Sequence, residues 1–146
     1  MEENHGISQQ LLFPQSLEFS APDFEILKSL NEEIKSLGFD INIFGKNTFV
    51  INGIPAEAAT MDAKELLEKM LENFKNTPGN FQTDKKDNLA RSLAKITSIK
   101  TGKKLEKEEM GSMIDELFAC EMPYSAPNGK PTIITLSLED LEKRFQ

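Results

Sequence analysis

Apolar residues follow two different periods along the chain, and the change from one to the other marks its elements. Apolar residues three and four positions apart follow Ser20, Pro22 and Asp23, which predicts an amphipathic helix that ends at Gly38. The same spacing predicts four further helices, which begin near Asp62, Thr83, Glu106 and Leu138.

Alternation of apolar and polar residues predicts the strands. Residues 9–20 are interrupted by Pro14 and are typical of an edge strand or of two short extended pieces. Two runs at 39–43 and 48–54 flank a Gly-Lys-Asn turn and predict a hairpin. The β-branched run 131–136 predicts another strand. This mixed order of helices and strands favours an α+β fold over regular βαβ alternation.

Composition narrows the class of protein. A chain of 146 residues is long enough for one domain or two small lobes. Its net charge of −7 makes the surface as a whole a poor match for nucleic acid or anionic lipid. It has no apolar run of the roughly 20 residues that a membrane helix needs, and its start lacks signal-peptide features. The sequence therefore predicts a cytoplasmic protein without a membrane partner.

One basic segment departs from this average. Residues 75–107 hold nine basic and three acidic side chains, a local charge of +6, so the remainder carries −13. A solvated helical face is the favoured interpretation of this feature alone, and contact with DNA phosphates is the alternative. No aromatic residues lie between the cations from Lys85 to Lys107, so such contact would be weak and independent of sequence. The candidate residues are Lys85, Lys86, Arg91, Lys95, Lys100, Lys103 and Lys104.

Catalytic chemistry is not visible in the sequence. His5 is the single histidine, and Cys120 is the single cysteine, predicted to be buried and inert. No two carboxylates are marked as an acid and base pair, and the glycines never cluster into a phosphate loop. We therefore expect no catalytic residues, no metal site and no cofactor.

The segment Gln9-Gln-Leu-Leu-Phe-Pro14 has a polar end, an apolar anchor at Leu12 and a rigid proline. Such an extended peptide can dock into a groove on a partner. As a bare pattern, an ordinary edge strand is favoured.

Several motifs in a fixed order carry a family resemblance. They are Gln9-Gln-Leu-Leu-Phe-Pro14, Leu37-Gly-Phe39, Phe44-Gly-Lys-Asn-Thr48, Ser98-Ile-Lys100 with Leu105, and Pro127-Asn-Gly-Lys-Pro131. Together they resemble the C-terminal dimerisation domain of MutL, a family of DNA mismatch repair proteins. The resemblance implies a two-lobed α+β domain with small mixed sheets flanked by helices. It implies a leader (1–10), an external regulatory lobe (11–81) and a dimerisation lobe (82–146). It also implies that an upstream strand and helix of that lobe, an ATPase domain and a linker lie outside this chain.

The resemblance also implies partners. Gln9, Leu12 and Pro14 match the family pattern that binds the replicative sliding clamp. A homodimer, other mismatch repair proteins and weak contact with the DNA backbone are the further partners expected, in the bacterial cytosol and at the nucleoid during repair.

Many MutL proteins are metal-dependent nicking endonucleases, and here the ligand positions differ. The resemblance aligns Lys95, Ala126 and Asn128 with two cysteines and a histidine of that site. Lysine is cationic and alanine has no donor atom, so neither replaces a thiolate on zinc. We expect that the metal site is absent. A nicking endonuclease domain is one alternative, and an unrelated α+β adaptor with residues 9–14 buried in its core is another.

Overall fold

A computed structural model describes residues 6–76 and 84–146 of the chain, which divides into two compact units. The first unit ends at Ile99 and the second begins at Lys100. The first contains β1 (Ser8–Glu18), α1 (Ala21–Ser29), α2 (Asn31–Ser36), β2 (Asp40–Ile43), β3 (Thr48–Pro55), α3 (Ala63–Asn76) and α4 (Lys85–Thr97). The second contains α5 (Lys107–Ala119) and α6 (Leu138–Arg144). The α+β class is confirmed.

The three strands form one sheet in the order β1-β3-β2. Every pairing between them is antiparallel, so the mixed sheets implied by the resemblance are not found in the described residues. The hairpin of β2 and β3 is confirmed, and β1 is an edge strand, as the proline within it predicts. This strand begins at Ser8, inside the segment assigned to the leader.

The helix predicted from Ser20 to Gly38 is two helices, which corrects the single-helix prediction. Its start is right, because the Ser20 hydroxyl accepts a hydrogen bond from the Asp23 amide at 3.3 Å. Its end is also right, since Gly38 has φ of +98°, a conformation that glycine adopts without strain. Between them, Leu30 leaves the helical conformation with φ −108° and ψ 7° while it stays 1% exposed. Burial of Leu30 therefore accompanies the break.

The core of the first unit lies between the sheet and its helices. Phe24 of α1 stacks on Phe49 of β3 with ring centroids 5.0 Å apart, and Ile51 is fully buried. Helix α4 packs against α3 and contributes Leu89, which is 2% exposed. The predicted lobe boundary after Phe81 lies outside the described residues. The contacts of α4 place that helix in the first unit. The regulatory and dimerisation roles of the two lobes stay predictions.

The second unit has well-formed local structure without a core. Glu106 and Glu109 form a capping box at the start of α5, and the Ser137 hydroxyl accepts from the Asp140 amide at 3.1 Å at the start of α6. Both helix starts are thus confirmed. Every residue from 100 to 146 is exposed or half-buried. Within the described residues, no helix is long and apolar enough to cross a membrane.

Two predictions for the second unit are wrong. The run 131–136 forms no strand, and only an isolated bridge joins Ser125 to Pro131. A strand requires a continuing ladder of backbone bonds, and in the described chain only the Thr132 amide of this run bonds other backbone, donating to the Tyr124 carbonyl at 3.1 Å. Cys120 is exposed, because nothing in this unit covers the end of α5.

Candidate functional site

The edge strand β1 carries a large bulge. Gln10 pairs with Gly53 and Gln15 pairs with Ile51, so residues 11–14 stand opposite the single residue Asn52. The extra residues cannot join the ladder and must leave the plane of the sheet. Pro14 has no amide hydrogen to donate, which favours this interruption. We call residues 11–14 the β1 bulge.

The β1 bulge presents apolar side chains to solvent. Leu12 is 94% exposed and Phe13 is 80% exposed, and Gln9 and Pro14 are exposed as well. Leu11 differs from these residues, because its side chain is half-buried and packs against the core. The structure thus brings Gln9, Leu12 and Pro14 together on one exposed segment that a neighbouring residue anchors.

Gly53 makes room for the base of the bulge, a role that our sequence analysis missed. A Cβ atom at this position would lie 2.5 Å from the Ser8 hydroxyl oxygen and 3.0 Å from the Gln9 carbonyl oxygen. A side chain here would displace the Ser8 hydroxyl and would require the Gln9 carbonyl to shift by a few tenths of an ångström. An isolated glycine within a strand pattern is a known sign of a bulge or of close backbone approach, and that signal was present in the sequence.

A side chain of β1 also reaches across this glycine. Gly53 is paired with Gln10 on one side and with Asp40 on the other. The Gln10 amide donates to the Asp40 carboxylate at 3.4 Å, and the Asn42 amide donates to the same carboxylate at 3.5 Å. These exposed bonds are long and individually weak. They connect the base of the bulge to the opposite edge of the sheet.

The predicted DNA-phosphate residues belong to both units, and those on α4 line different pockets. Lys85 lines an apolar cavity with Ile26, Lys86 lines another with Leu37, and Arg91 and Lys95 line a polar notch between α3 and α4. Four of the seven candidates belong to α4 in the first unit. The other three, Lys100, Lys103 and Lys104, belong to the second unit.

Local ion pairs neutralise part of this charge. Arg91 bonds Asp87 through Nε at 2.6 Å, and Lys103 bonds Glu109 at 3.0 Å. A hydrogen bond from the Glu106 amide, followed by the one from Lys103, holds the pKa of Glu109 below its ordinary value. Glu109 therefore keeps its charge beside Lys103 at neutral pH.

The second unit displays a dense set of exposed apolar side chains. Met110, Met113, Ile114 and Phe118 of α5 are between 43% and 53% exposed. Scattered apolar residues are normal on protein surfaces, so the number of them in this one unit makes it a candidate interaction surface. The others from this unit are Met122, Tyr124, Ile134, Leu136, Leu138, Leu141 and Phe145.

The positions that the resemblance aligns with metal ligands lie in different units. Lys95 is on α4, whereas Ala126 and Asn128 are in a loop of the second unit, where Asn128 Oδ1 accepts from the Lys130 amide at 3.0 Å. Among residues 6–76 and 84–146, no three His, Cys, Asp or Glu side chains are grouped as a metal site requires. His5 lies outside the described residues.

Comparison with known proteins identifies the family. A family model described as the MutL C terminal dimerisation domain matches residues 1–105. Proteins named DNA mismatch repair protein MutL from Chloroherpeton thalassium, Pelodictyon phaeoclathratiforme and Chlorobium chlorochromatii are 42%, 41% and 39% identical to it over 145 residues. These matches cover 99% of this chain and 23%, 23% and 22% of the relatives. The chain thus spans about a quarter of the length of the curated relatives it matches.

The fold and the matched model define a dimerisation domain of the α+β class. The chain belongs to the MutL family of DNA mismatch repair proteins, and it corresponds to the C-terminal part of that family. The assignment of Gln9, Leu12 and Pro14 to clamp binding stays a prediction, as does the assignment of the seven basic residues to DNA.

Proposed function

We propose that this domain is an interaction module of mismatch repair that docks a sliding clamp through the β1 bulge. The observation that carries the proposal is the 94% exposure of Leu12 on the β1 bulge, which ends at Pro14 and lies just after Gln9. Burial of an exposed leucine in an apolar pocket of a partner lowers the free energy of the complex. A glutamine amide can donate and accept at the rim of the same pocket.

The anchoring of the bulge favours tight docking. Leu11 packs against the core, and Gly53 allows the flanking backbone to approach β3 closely. A segment that is held in place loses less conformational entropy on binding than a free peptide. The unrelated-adaptor alternative required residues 9–14 to be buried, and the exposure of Leu12 argues against it.

The test is a titration of the clamp with the chain and with a double variant, Gln9→Ala with Leu12→Ala. Removal of an interface anchor costs about 2 kcal/mol, so we expect a loss of affinity of at least about thirtyfold. Ile7→Ala is the matched control, because Ile7 is 73% exposed and lies outside the pattern. Unchanged affinity in the double variant would refute docking through this segment.

The second unit serves self-association in this proposal. Its apolar side chains are exposed and are not buried in a core of its own, and the family model names a dimerisation domain. A second copy of the chain is the partner that this description supports, and other mismatch repair proteins are further partners. The domain works in the bacterial cytosol, at the nucleoid during repair.

The domain has no metal site, no cofactor and no catalytic residues in this proposal. The support is chemical, because Lys95 and Ala126 offer no thiolate and Asn128 offers no imidazole. The alternative of a nicking endonuclease rests on family membership alone. Manganese-stimulated nicking of supercoiled plasmid by a longer protein, lost on substitution within this domain, would support that alternative instead.

Weak binding of DNA completes the proposed function. The basic segment would contact backbone phosphates and release counterions, so affinity falls steeply as salt is raised. A titration of a duplex at several salt concentrations tests this. A flat dependence on salt would exclude phosphate contact by Lys85, Lys86 and the other candidates.

A further inference from the structure

A polar notch lies between the end of α3 and one stripe of α4. Its volume is about 240 Å³, and its described lining is Asn73, Asn76, Asn88, Arg91, Ser92 and Lys95. The four residues from α4 recur at three- and four-residue steps, which brings them onto one side of the helix. No carboxylate is among the described residues that line the notch.

Ser92 is the unusual member of this lining. Its side chain is 6% exposed, and its buried hydroxyl oxygen has no hydrogen-bond partner in the described structure. A helical serine or threonine commonly bonds the carbonyl four residues earlier, as Thr97 does with Leu93 at 3.0 Å. Ser92 makes no such bond. A buried hydroxyl without a partner is destabilising, so a ligand in the notch would relieve a defect of the empty fold.

The lining matches one chemical class of ligand. Serine hydroxyl, asparagine amide, ammonium and guanidinium groups all donate hydrogen bonds, and an oxyanion of a phosphate ester only accepts them. Arg91 is held through its Nε by Asp87, which orients its guanidinium. Arg91 and Lys95 bring two positive charges to this lining.

We propose that this notch is a binding site for the oxyanion of a phosphate ester. The Ser92 hydroxyl and the asparagine amides donate to the phosphate oxygens, and Lys95 and Arg91 neutralise its charge. The phosphate can belong to the DNA backbone or to a small phosphorylated molecule. In the first case the inference rests on the DNA contact of the proposed function and adds a specific binding site for one backbone phosphate. It does not depend on clamp docking.

The first experiment titrates the isotopically labelled 146-residue chain with inorganic phosphate and follows its asparagine side-chain amide signals by NMR. We expect saturable shifts of Asn73, Asn76 and Asn88. Ser92→Ala should weaken phosphate about tenfold, since a hydrogen bond to a charged group is lost. Lys95→Gln, at an exposed position, should weaken it by a similar factor. Shifts that do not saturate, or that are equal in Ser92→Ala and the parent chain, would overturn the proposal.

Two controls separate binding from folding and from general charge. Lys64→Gln removes the same charge from α3, the other helix of the notch, at a position outside the described lining, so its phosphate affinity should not change. Ser92→Ala should leave the melting temperature without phosphate unchanged or raised, because the variant removes an unpaired buried hydroxyl. A lowered melting temperature with unchanged phosphate affinity would show a structural role for Ser92 and overturn the proposal.

The second experiment identifies the source of the phosphate with a 20-base-pair duplex at several salt concentrations. If the notch binds a backbone phosphate, Ser92→Ala weakens duplex binding without a change in the dependence of log affinity on log salt concentration. Lys95→Gln lowers the slope of that dependence by about one. Saturable phosphate binding with unchanged duplex affinity in both variants supports the notch and assigns it to a small phosphate ester. A flat salt dependence of the parent chain would refute the general DNA contact while phosphate shifts still test the notch.

Discussion

Among the described residues, eighteen apolar side chains are buried in the first unit, whereas no side chain of the second unit is buried. Both units contain helices with regular caps, such as Ser20 at α1 and the Glu106 box at α5. Capping residues in the sequence therefore initiate helices equally well in both units. The difference lies in what covers the apolar faces, since the first unit closes over its sheet and the second leaves α5 open.

The largest expected contrast is in the effect of an isoleucine on stability. Ile51→Ala should lower the free energy of unfolding by about 3 kcal/mol, because it leaves a cavity in a closed core. Ile134→Ala, at 72% exposure in the second unit, should change it by less than about 0.5 kcal/mol. Urea denaturation of dilute protein measures both. Equal effects would contradict the division into a closed and an open unit.

The second contrast concerns self-association. Ile114→Glu introduces a charge on the open face of α5 and should weaken the dimer by about 2 kcal/mol, or about thirtyfold in its dissociation constant. Analytical ultracentrifugation over a range of concentrations measures this. Ile43→Glu is the matched control, because Ile43 is a 46% exposed isoleucine of the first unit. Dimerisation lost in the control and retained in Ile114→Glu would move the interface to the first unit.

The third contrast is between two glycine-to-alanine substitutions, which should change stability in opposite directions. Gly53→Ala forces a Cβ against the Ser8 hydroxyl and should destabilise the first unit by about 1 to 2 kcal/mol and weaken clamp binding. Gly111→Ala lies in the interior of α5 with nothing within 4 Å, so it should stabilise that helix by about 1 kcal/mol. Thermal unfolding and clamp titration test the pair. A neutral Gly53→Ala would show that the bulge does not need this close approach.

The smallest effect is electrostatic. A hydrogen bond from Lys75, then one from Ser20, lowers the pKa of Asp23 below its ordinary value. This pair is partly exposed, so it should contribute less than about 1 kcal/mol. Because the folded-state pKa is the lower one, the contribution is full at neutral pH and is lost as the pH falls through that value.

The measurement is the stability of Asp23→Asn against the parent chain between pH 7 and pH 2. The difference between the two should narrow as the solution becomes acidic. Glu25→Gln changes the net charge equally on the same helix and serves as the control. A difference that widens toward low pH would contradict the assigned sign.

Much of the first unit could be predicted from local pattern. The hairpin followed from the alternation on both sides of Gly45, and the start of α3 followed from Asp62, whose carboxylate accepts from the Glu65 amide at 3.0 Å. These features depend on residues that are close in the chain, so their signals survive in the sequence. The proposed docking residues Gln9, Leu12 and Pro14 were identified only through the family resemblance.

The sequence by itself determined the α+β class, most helix starts and the apolar character of α5. Tertiary structure alone decided that residues 11–14 leave the sheet, that Gly53 makes room for Ser8 and Gln9 just before them, and that Ser92 is buried without a partner in the described structure. It also decided that residues 131–136 form no strand. The physical reason is the same in each case. Register, close approach and burial depend on which distant backbone lies alongside, and a local pattern of side chains does not specify that neighbour.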